Sequence, residues 1–119
     1  MAAKTLLECS FLIPTRRDKN RSDGKAHQRS AWRWFEGVLS DFGGGTRDTS
    51  LQFGWYVDPD TGKRVSDYSR KYIVAVPAAR LPELRAVLAK ACDVFQQKCI
   101  YLSVAGEVEF VEGPHNETE

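Results

Sequence analysis

Hydrophobic and polar residues alternate at the start of the chain, in the segment TLLECSFLIP at residues 5–14. A period of two predicts a β-strand with one face more buried than the other. The more apolar side carries Leu7, Cys9, Phe11 and Ile13. Pro14 ends this strand, because proline has no N–H to give to a sheet. Residues 15–24 are charged and rich in turn formers, which predicts a loop.

The spacing of apolar residues changes to three and four over residues 25–42, which predicts an amphipathic helix. Its apolar stripe consists of Ala31, Trp32, Phe35, Val38, Leu39 and Phe42. Glycines at 43–45 end the helix, because glycine adopts the left-handed cap without steric cost. A second stripe predicts another helix over residues 79–98. Pro82 lies in its first turn, where a missing N–H is harmless.

Alternation returns between the two helices. Residues 49–57 and 64–77 predict the two arms of a hairpin, and DPDTGK at 58–63 is its turn, with Gly62 at the position that needs a positive φ. On the second arm we expect Tyr68, Tyr72, Val74 and Val76 to face inward. Residues 99–104 predict a last strand, and Gly106 bends the chain into a short extra strand ending near Val111.

The resulting order, β-α-β-β-α-β, predicts an α+β protein with the ferredoxin-like plait. That fold is a four-stranded antiparallel sheet with both helices on one face, here with a short fifth strand. A chain of 119 residues fits one domain, which we place at residues 1–112. Residues 113–119 are acidic and predict a flexible tail.

Two segments resemble small uncharacterised bacterial α+β domains with a ferredoxin-like plait. Residues 54–76, GWYVDPDTGKRVSDYSRKYIVAV, resemble their G-x-W…G…S hairpin, and residues 94–104, VFQQKCIYLSV, resemble their closing strand segment. The resemblance covers about half of the chain, implies the plait and brings no established activity. The long basic loop before the first helix departs from that pattern.

Charge is spread unevenly although the formal net charge is only +1. Residues 1–34 hold eight Lys or Arg and three acidic residues, whereas residues 35–119 hold nine and thirteen. The chain shows no leader and no apolar run long enough to span a membrane. Its three cysteines form no C-x-x-C pair, so we expect reduced thiols and a cytoplasmic protein.

Basic residues are interleaved with tryptophan in residues 15–35, which is typical of nucleic-acid contacts. The basic segment 16–33 is therefore one hypothesis for function. The residues that would contact phosphate are Arg16, Arg17, Lys19 and Arg21. The open sheet face argues against an RNA-recognition domain, because its central strands carry no aromatic residue there and Glu8 would repel phosphate.

The start of the third strand lies near the end of the first in this topology. Arg70 and Lys71 would then join Arg16 and Arg17 at one rim of the sheet. Guanidinium and ammonium groups bind anions through charge-assisted hydrogen bonds, so this rim is a hypothesis for an anionic small molecule.

The open face of the sheet is too apolar to stand bare in water. Its residues are Leu6, Glu8, Leu12, Tyr56, Ile73 and Tyr101. A second copy of the chain, in a two-fold dimer, would cover them.

No motif in the chain indicates catalysis, a cofactor or a metal. We expect His27 to be a solvated residue of the first helical turn, and the cysteines to act as small hydrophobes. The leading interpretation is a non-catalytic interaction or ligand-sensing module. The alternative is a small enzyme of the dimeric α+β-barrel kind, with Glu8 facing a cavity on the sheet face.

Overall fold

One antiparallel sheet contains all the strands of residues 5–20 and 22–113, the residues that the structure, a computed structural model, describes. Its strands are Leu6–Pro14 (β1), Thr46–Arg47 (β2), Gln52–Val57 (β3), Arg64–Pro77 (β4), Cys99–Val104 (β5) and Glu107–Glu112 (β6). The strand order is β2-β4-β1-β5-β6, and β3 also pairs with β4. The central strands are therefore β1 and β4. Arg21 and nearly all of the predicted tail, residues 114–119, lie outside the described residues.

Two helices complete the fold, Arg29–Leu39 (α1) and Leu81–Val94 (α2). The first begins later than predicted because residues 25–27 run antiparallel to residues 15–17. The Arg17 N–H donates to the Lys25 carbonyl at 2.9 Å, and Ala26 bridges Arg16. Gly43 has a φ of 99° just after α1 and its 3₁₀ extension, which confirms the predicted glycine stop.

Phe35 of α1 lies at the centre of the hydrophobic core and is fully buried. Its ring centroid lies 5.7 Å from that of Phe11 in β1, 5.2 Å from that of Tyr72 in β4 and 5.5 Å from that of Phe95 after α2. Such edge-to-face pairs add stability beyond the apolar area that they bury. Both helices therefore pack on one face of the sheet through this aromatic cluster.

The predicted α+β class with two helices is confirmed, but the sheet has six strands rather than four and a short fifth. Thr46–Arg47 adds a strand by pairing with Ile73 and Tyr72. Strand β4 is 14 residues long, and β1 reaches only as far as Ser69 along it. Beyond that point β4 pairs with β3 alone, in a hairpin turned at Gly62 with a φ of 69°.

The prediction that Tyr68 faces inward to the core is wrong, because its side chain is 52% exposed. It lies on the part of β4 that extends past the end of β1. The hydrophobic core of the described residues includes no side chain of β3. Alternation identified the correct face of the strand, but it could not show that no helix covers this part.

The cysteines form no disulfide within the described residues, and Cys9 and Cys92 are buried. In the described residues, neither helix has the length and apolar character that a membrane crossing requires.

Replacing Phe35 with alanine removes the ring that joins both helices to the sheet. We expect the free energy of unfolding to fall by about 3–5 kcal/mol. Urea denaturation followed by circular dichroism measures this change. The matched control is Leu51→Ala, whose side chain is 49% exposed. It should stay within about 0.5 kcal/mol of the unmodified chain. Equal losses in both variants would contradict the assigned core.

Candidate functional site

A cleft of about 370 Å³ opens on the helix side of the sheet, between α1, β2 and β4. This volume is within the range of about 300–1,000 Å³ that is usual for small-molecule sites. We name it the arginine cleft, and its lining residues are His27, Arg29, Trp32, Arg33, Glu36, Arg47 and Arg70. Four of these residues belong to α1, where spacings of three and four place them on one face.

Glu36 connects the three elements around the cleft. Its Oε2 atom accepts a 2.6 Å hydrogen bond from the Tyr72 hydroxyl. The same atom lies 3.3 Å from Nε of Arg47 and 3.5 Å from Nη1 of Arg70. The short pairing of β2 with β4 places Arg47 opposite Tyr72, so both donors reach one carboxylate. Donors from β2 and β4 therefore hold this carboxylate of α1 in one position.

The cleft has more positive than negative charge. The described residues that line it carry four guanidinium groups and one carboxylate. The Arg70 guanidinium lies 3.9 Å from the centroid of the Trp32 ring, within the range of a cation–π contact. Burial and the hydrogen bond to Glu36 raise the pKa of Tyr72 to about 12. Tyr72 therefore remains a hydrogen-bond donor at neutral pH. Because of its excess of guanidinium groups, the cleft favours a ligand with an anionic group.

His27 is half-buried between aromatic rings, so the expectation of a solvated residue in a helical turn is wrong. Its ring lies 5.4 Å from the Trp32 ring and 4.9 Å from the Phe95 ring, both edge-on. Its Nε2 atom donates to the Pro14 carbonyl at 2.8 Å, because a carbonyl can only accept. Burial lowers the pKa of His27, despite that hydrogen bond, and the nearby guanidiniums lower it further. The ring is therefore neutral near pH 7.

A second cavity of about 270 Å³ lies on the other side of His27. It is lined by Arg17, His27, Gln28, Ser30, Ala31, Trp34 and Val94. Arg17 is paired there with Asp23, with 3.1 Å between Nη1 and Oδ2. Because Asp23 balances the charge of Arg17, this cavity attracts an anion less strongly than the arginine cleft does.

The predicted basic rim is divided between different places. Arg70 lines the cleft on the helix side, whereas Lys71, the next residue of β4, faces the opposite side. Arg16 and Lys19 are exposed in the loop, and Arg21 lies outside the described residues. Among the described members of this set, Arg17 and Arg70 both lower the pKa of His27.

The predicted open-face residues share one side of the sheet. The register aligns Leu12 with Lys71 and Tyr101, Glu8 with Ala75, and Ser10 with Ile73, and Leu6 lies farther along β1. Tyr56 lies on the same side of the hairpin. Val108 and Phe110 of β6, which the sequence pattern did not assign to this surface, extend it and are more than half exposed. Both cavities lie on the helix side of the sheet. A small enzyme of the barrel kind would instead have its cavity on the open face.

The sequence pattern did not identify the cleft. It correctly placed Tyr72 in the core and Trp32 against it, but it gave no role to Glu36 or Arg47. A signal was present in α1, where Arg29, Arg33 and Glu36 form a polar stripe beside the apolar one. The contribution of Arg47 depends on a two-residue strand, which alternation cannot detect.

Comparisons with known proteins identify similar folds. No protein-family model matches the chain, and no curated protein matches it. A solved structure of a phage SAM lyase in complex with S-methyl-5'-thioadenosine matches with a TM-score of 0.69 and 11% identity, over 98% of this chain and 97% of that one. The apo state of a phage SAM lyase matches with a TM-score of 0.61 and 12% identity, over 93% and 92%.

These matches contradict the non-catalytic interpretation. Both similar structures are of an enzyme, and one of them holds a nucleoside ligand. At this identity the likeness is one of fold, and it extends over nearly the whole length of both chains. The expectation of an interaction or ligand-sensing module is therefore wrong.

Stability should depend on pH through His27. Its pKa in the folded chain is below the ordinary histidine value of 6.5, so the unfolded chain binds the proton more readily. The stabilisation is present above pH 6.5 and is lost as the pH falls through the folded-state pKa, with a slope of at most about 1.4 kcal/mol per pH unit.

Urea denaturation between pH 7.5 and 4.5 measures this slope. His27→Gln cannot titrate in that range, so its stability should fall less steeply than that of the unmodified chain. His115→Gln, the matched control, changes the chain's other histidine and should keep the original slope. The same slope in all three proteins would contradict the buried, neutral His27.

Proposed function

We propose that this chain is an enzyme that cleaves S-adenosylmethionine and releases S-methyl-5'-thioadenosine. One observation carries the proposal. The fold of a SAM lyase that holds S-methyl-5'-thioadenosine matches 98% of this chain. A cleft of suitable volume, lined by arginine, tryptophan and glutamate, supports it further.

The product determines which bond breaks. S-methyl-5'-thioadenosine keeps the methyl and adenosyl groups of the sulfonium, so the bond between sulfur and Cγ of the amino-acid arm must break. The electron pair of that bond goes to sulfur, which becomes a neutral thioether. A lyase adds no water, and in the proposed reaction the arm's own carboxylate oxygen bonds to Cγ and closes a lactone. The atoms and charges then balance without a further reactant.

The cleft offers complementary groups for each charge of this substrate. Guanidinium groups such as that of Arg70 bind a carboxylate through charge-assisted hydrogen bonds. Glu36 is the negative group for the ammonium or the sulfonium, and its hydrogen bond from Tyr72 fixes its direction. The reaction brings a carboxylate and a sulfonium together and neutralises both. A cleft that removes their water therefore favours it.

We propose that the finer fold is the ferredoxin-like plait, extended at its edges. The central pair β1 and β4, flanked by β3 and β5, supports this assignment, and β2 and β6 are the additions. The kinship with small bacterial plait domains stays a prediction. We also propose a cytoplasmic location. The cysteines form no disulfide among the described residues, which supports it because disulfides are rare in the cytoplasm.

We further propose that a second copy of the chain covers the open face. Leu6, Val108 and Phe110 are each more than half exposed on that face. Large contiguous apolar patches are typical of protein interfaces, and the net charge of +1 gives little repulsion between copies. The anionic small molecule expected from the sequence is, in this account, the carboxylate end of the substrate.

Incubation with S-adenosylmethionine, followed by liquid chromatography and mass spectrometry, tests the activity. We expect S-methyl-5'-thioadenosine to form well above a protein-free blank, together with one equivalent of lactone. Glu36→Gln should lower kcat/KM by about 10- to 100-fold, the range expected for losing a hydrogen bond to a charged group.

The matched control is Glu109→Gln, a carboxylate paired with Arg85 at 2.8 Å outside the cleft. It should keep full activity, and circular dichroism checks that both variants are folded. Product formation no faster than in the blank would overturn the proposed function.

A further inference from the structure

Three aromatic side chains form an exposed row on the hairpin of β3 and β4. Phe53, Trp55 and Tyr68 are 52%, 62% and 52% exposed. The centroid of the Phe53 ring lies 5.2 Å from that of Tyr68 and 6.2 Å from that of Trp55. We name these residues the aromatic ladder. An exposed apolar patch of this kind usually marks a binding surface rather than a structural requirement.

The ladder adjoins the arginine cleft. Tyr68 and Arg70 lie on the same face of β4, two residues apart, so their Cα atoms are about 7 Å apart. Arg70 lines the cleft, and Phe53 is the cross-strand partner of Tyr68. The ladder therefore continues the cleft outward along the hairpin, on the helix side of the sheet.

The chemistry of this face suits a flat, uncharged ring. The described side chains that share it, from 52–57 and 64–70, include no carboxylate, because Asp67 faces the other side. The Arg64 guanidinium lies 5.1 Å from the Trp55 centroid, which adds a second planar group. Nucleobases stack on aromatic rings and on guanidinium planes. An exposed aromatic row beside an arginine-rich cleft matches a nucleoside that carries a charged arm.

We propose that the aromatic ladder is the adenine subsite of this protein, for 5'-thioadenosines as a class. The adenine ring stacks on Tyr68 and Phe53, while the amino-acid arm enters the arginine cleft. This inference rests on the proposed function and adds the residues that select the base. It also gives a reason for the length of β4. Arg70 of this strand lines the cleft, and Tyr68, farther along the strand, contacts the base.

Isothermal titration with S-methyl-5'-thioadenosine tests the ladder without any catalytic step. Tyr68→Ala and Phe53→Ala should each weaken binding by about 5- to 100-fold, the range for loss of one base–aromatic stack. Tyr68→Phe should bind normally, because the ring remains. The matched control is Phe110→Ala, which removes an equally exposed ring from the open face and should leave the affinity unchanged.

The outcomes separate the two proposals. Unchanged affinity in both ladder variants, or no binding by the unmodified chain at millimolar ligand, would overturn the adenine subsite whether or not S-adenosylmethionine is cleaved. Weakened binding in a chain that forms no product would support the subsite and overturn the proposed reaction.

Native mass spectrometry of the same samples tests whether a second copy of the chain, rather than adenine, contacts the aromatic ladder. A smaller assembly in the ladder variants, with unchanged affinity, would show that the ladder contacts a second copy and would overturn the subsite. A monomer in the unmodified chain would contradict the proposed partner on the open face.

Discussion

The Glu36 carboxylate and its three donors hold the arginine cleft together. The hydrogen bond from Tyr72 is short, and Arg47 and Arg70 approach the same oxygen. The Glu36 side chain is 45% exposed, so these partners fix the direction of the carboxylate rather than compensate for burial. The network links α1 to β2 and β4 beside the cleft, while the buried ring of Phe35 packs α1 against the sheet. Because four guanidinium groups and one carboxylate of the described residues line the cleft, the cleft keeps a net positive charge.

The excess length of β4 has a second consequence. Its inner part pairs with β1 and contributes Tyr72 to the core, while its outer part pairs with β3 and carries Tyr68 into solvent. One strand thus passes from the hydrophobic core, through the cleft, to the aromatic ladder. Residues at a spacing of two on this strand have three different environments. The environment of a residue on β4 therefore depends on its position along the strand as much as on the face where it lies.

Sequence patterns predicted the elements well and the site poorly, for a physical reason. Alternation and helical spacing report which side of an element is apolar, and they placed Phe11, Phe35 and Val74 correctly in the core. They do not report which elements end early, so Tyr68 was assigned to the core. They are also blind to Arg47, whose strand has two residues. The charges that meet at Glu36 come from segments far apart in the chain.

Both proposals require the ligand to bind on the helix side of the sheet, at the cleft and along the hairpin. Amide chemical-shift mapping by nuclear magnetic resonance, with S-methyl-5'-thioadenosine titrated into the isotope-labelled chain, tests this requirement most directly. We expect shifts concentrated at residues 29–36, 47, 53–55 and 68–72, with residues 8–12 and 101–110 less affected. Shifts concentrated on β5 and β6 instead would contradict it.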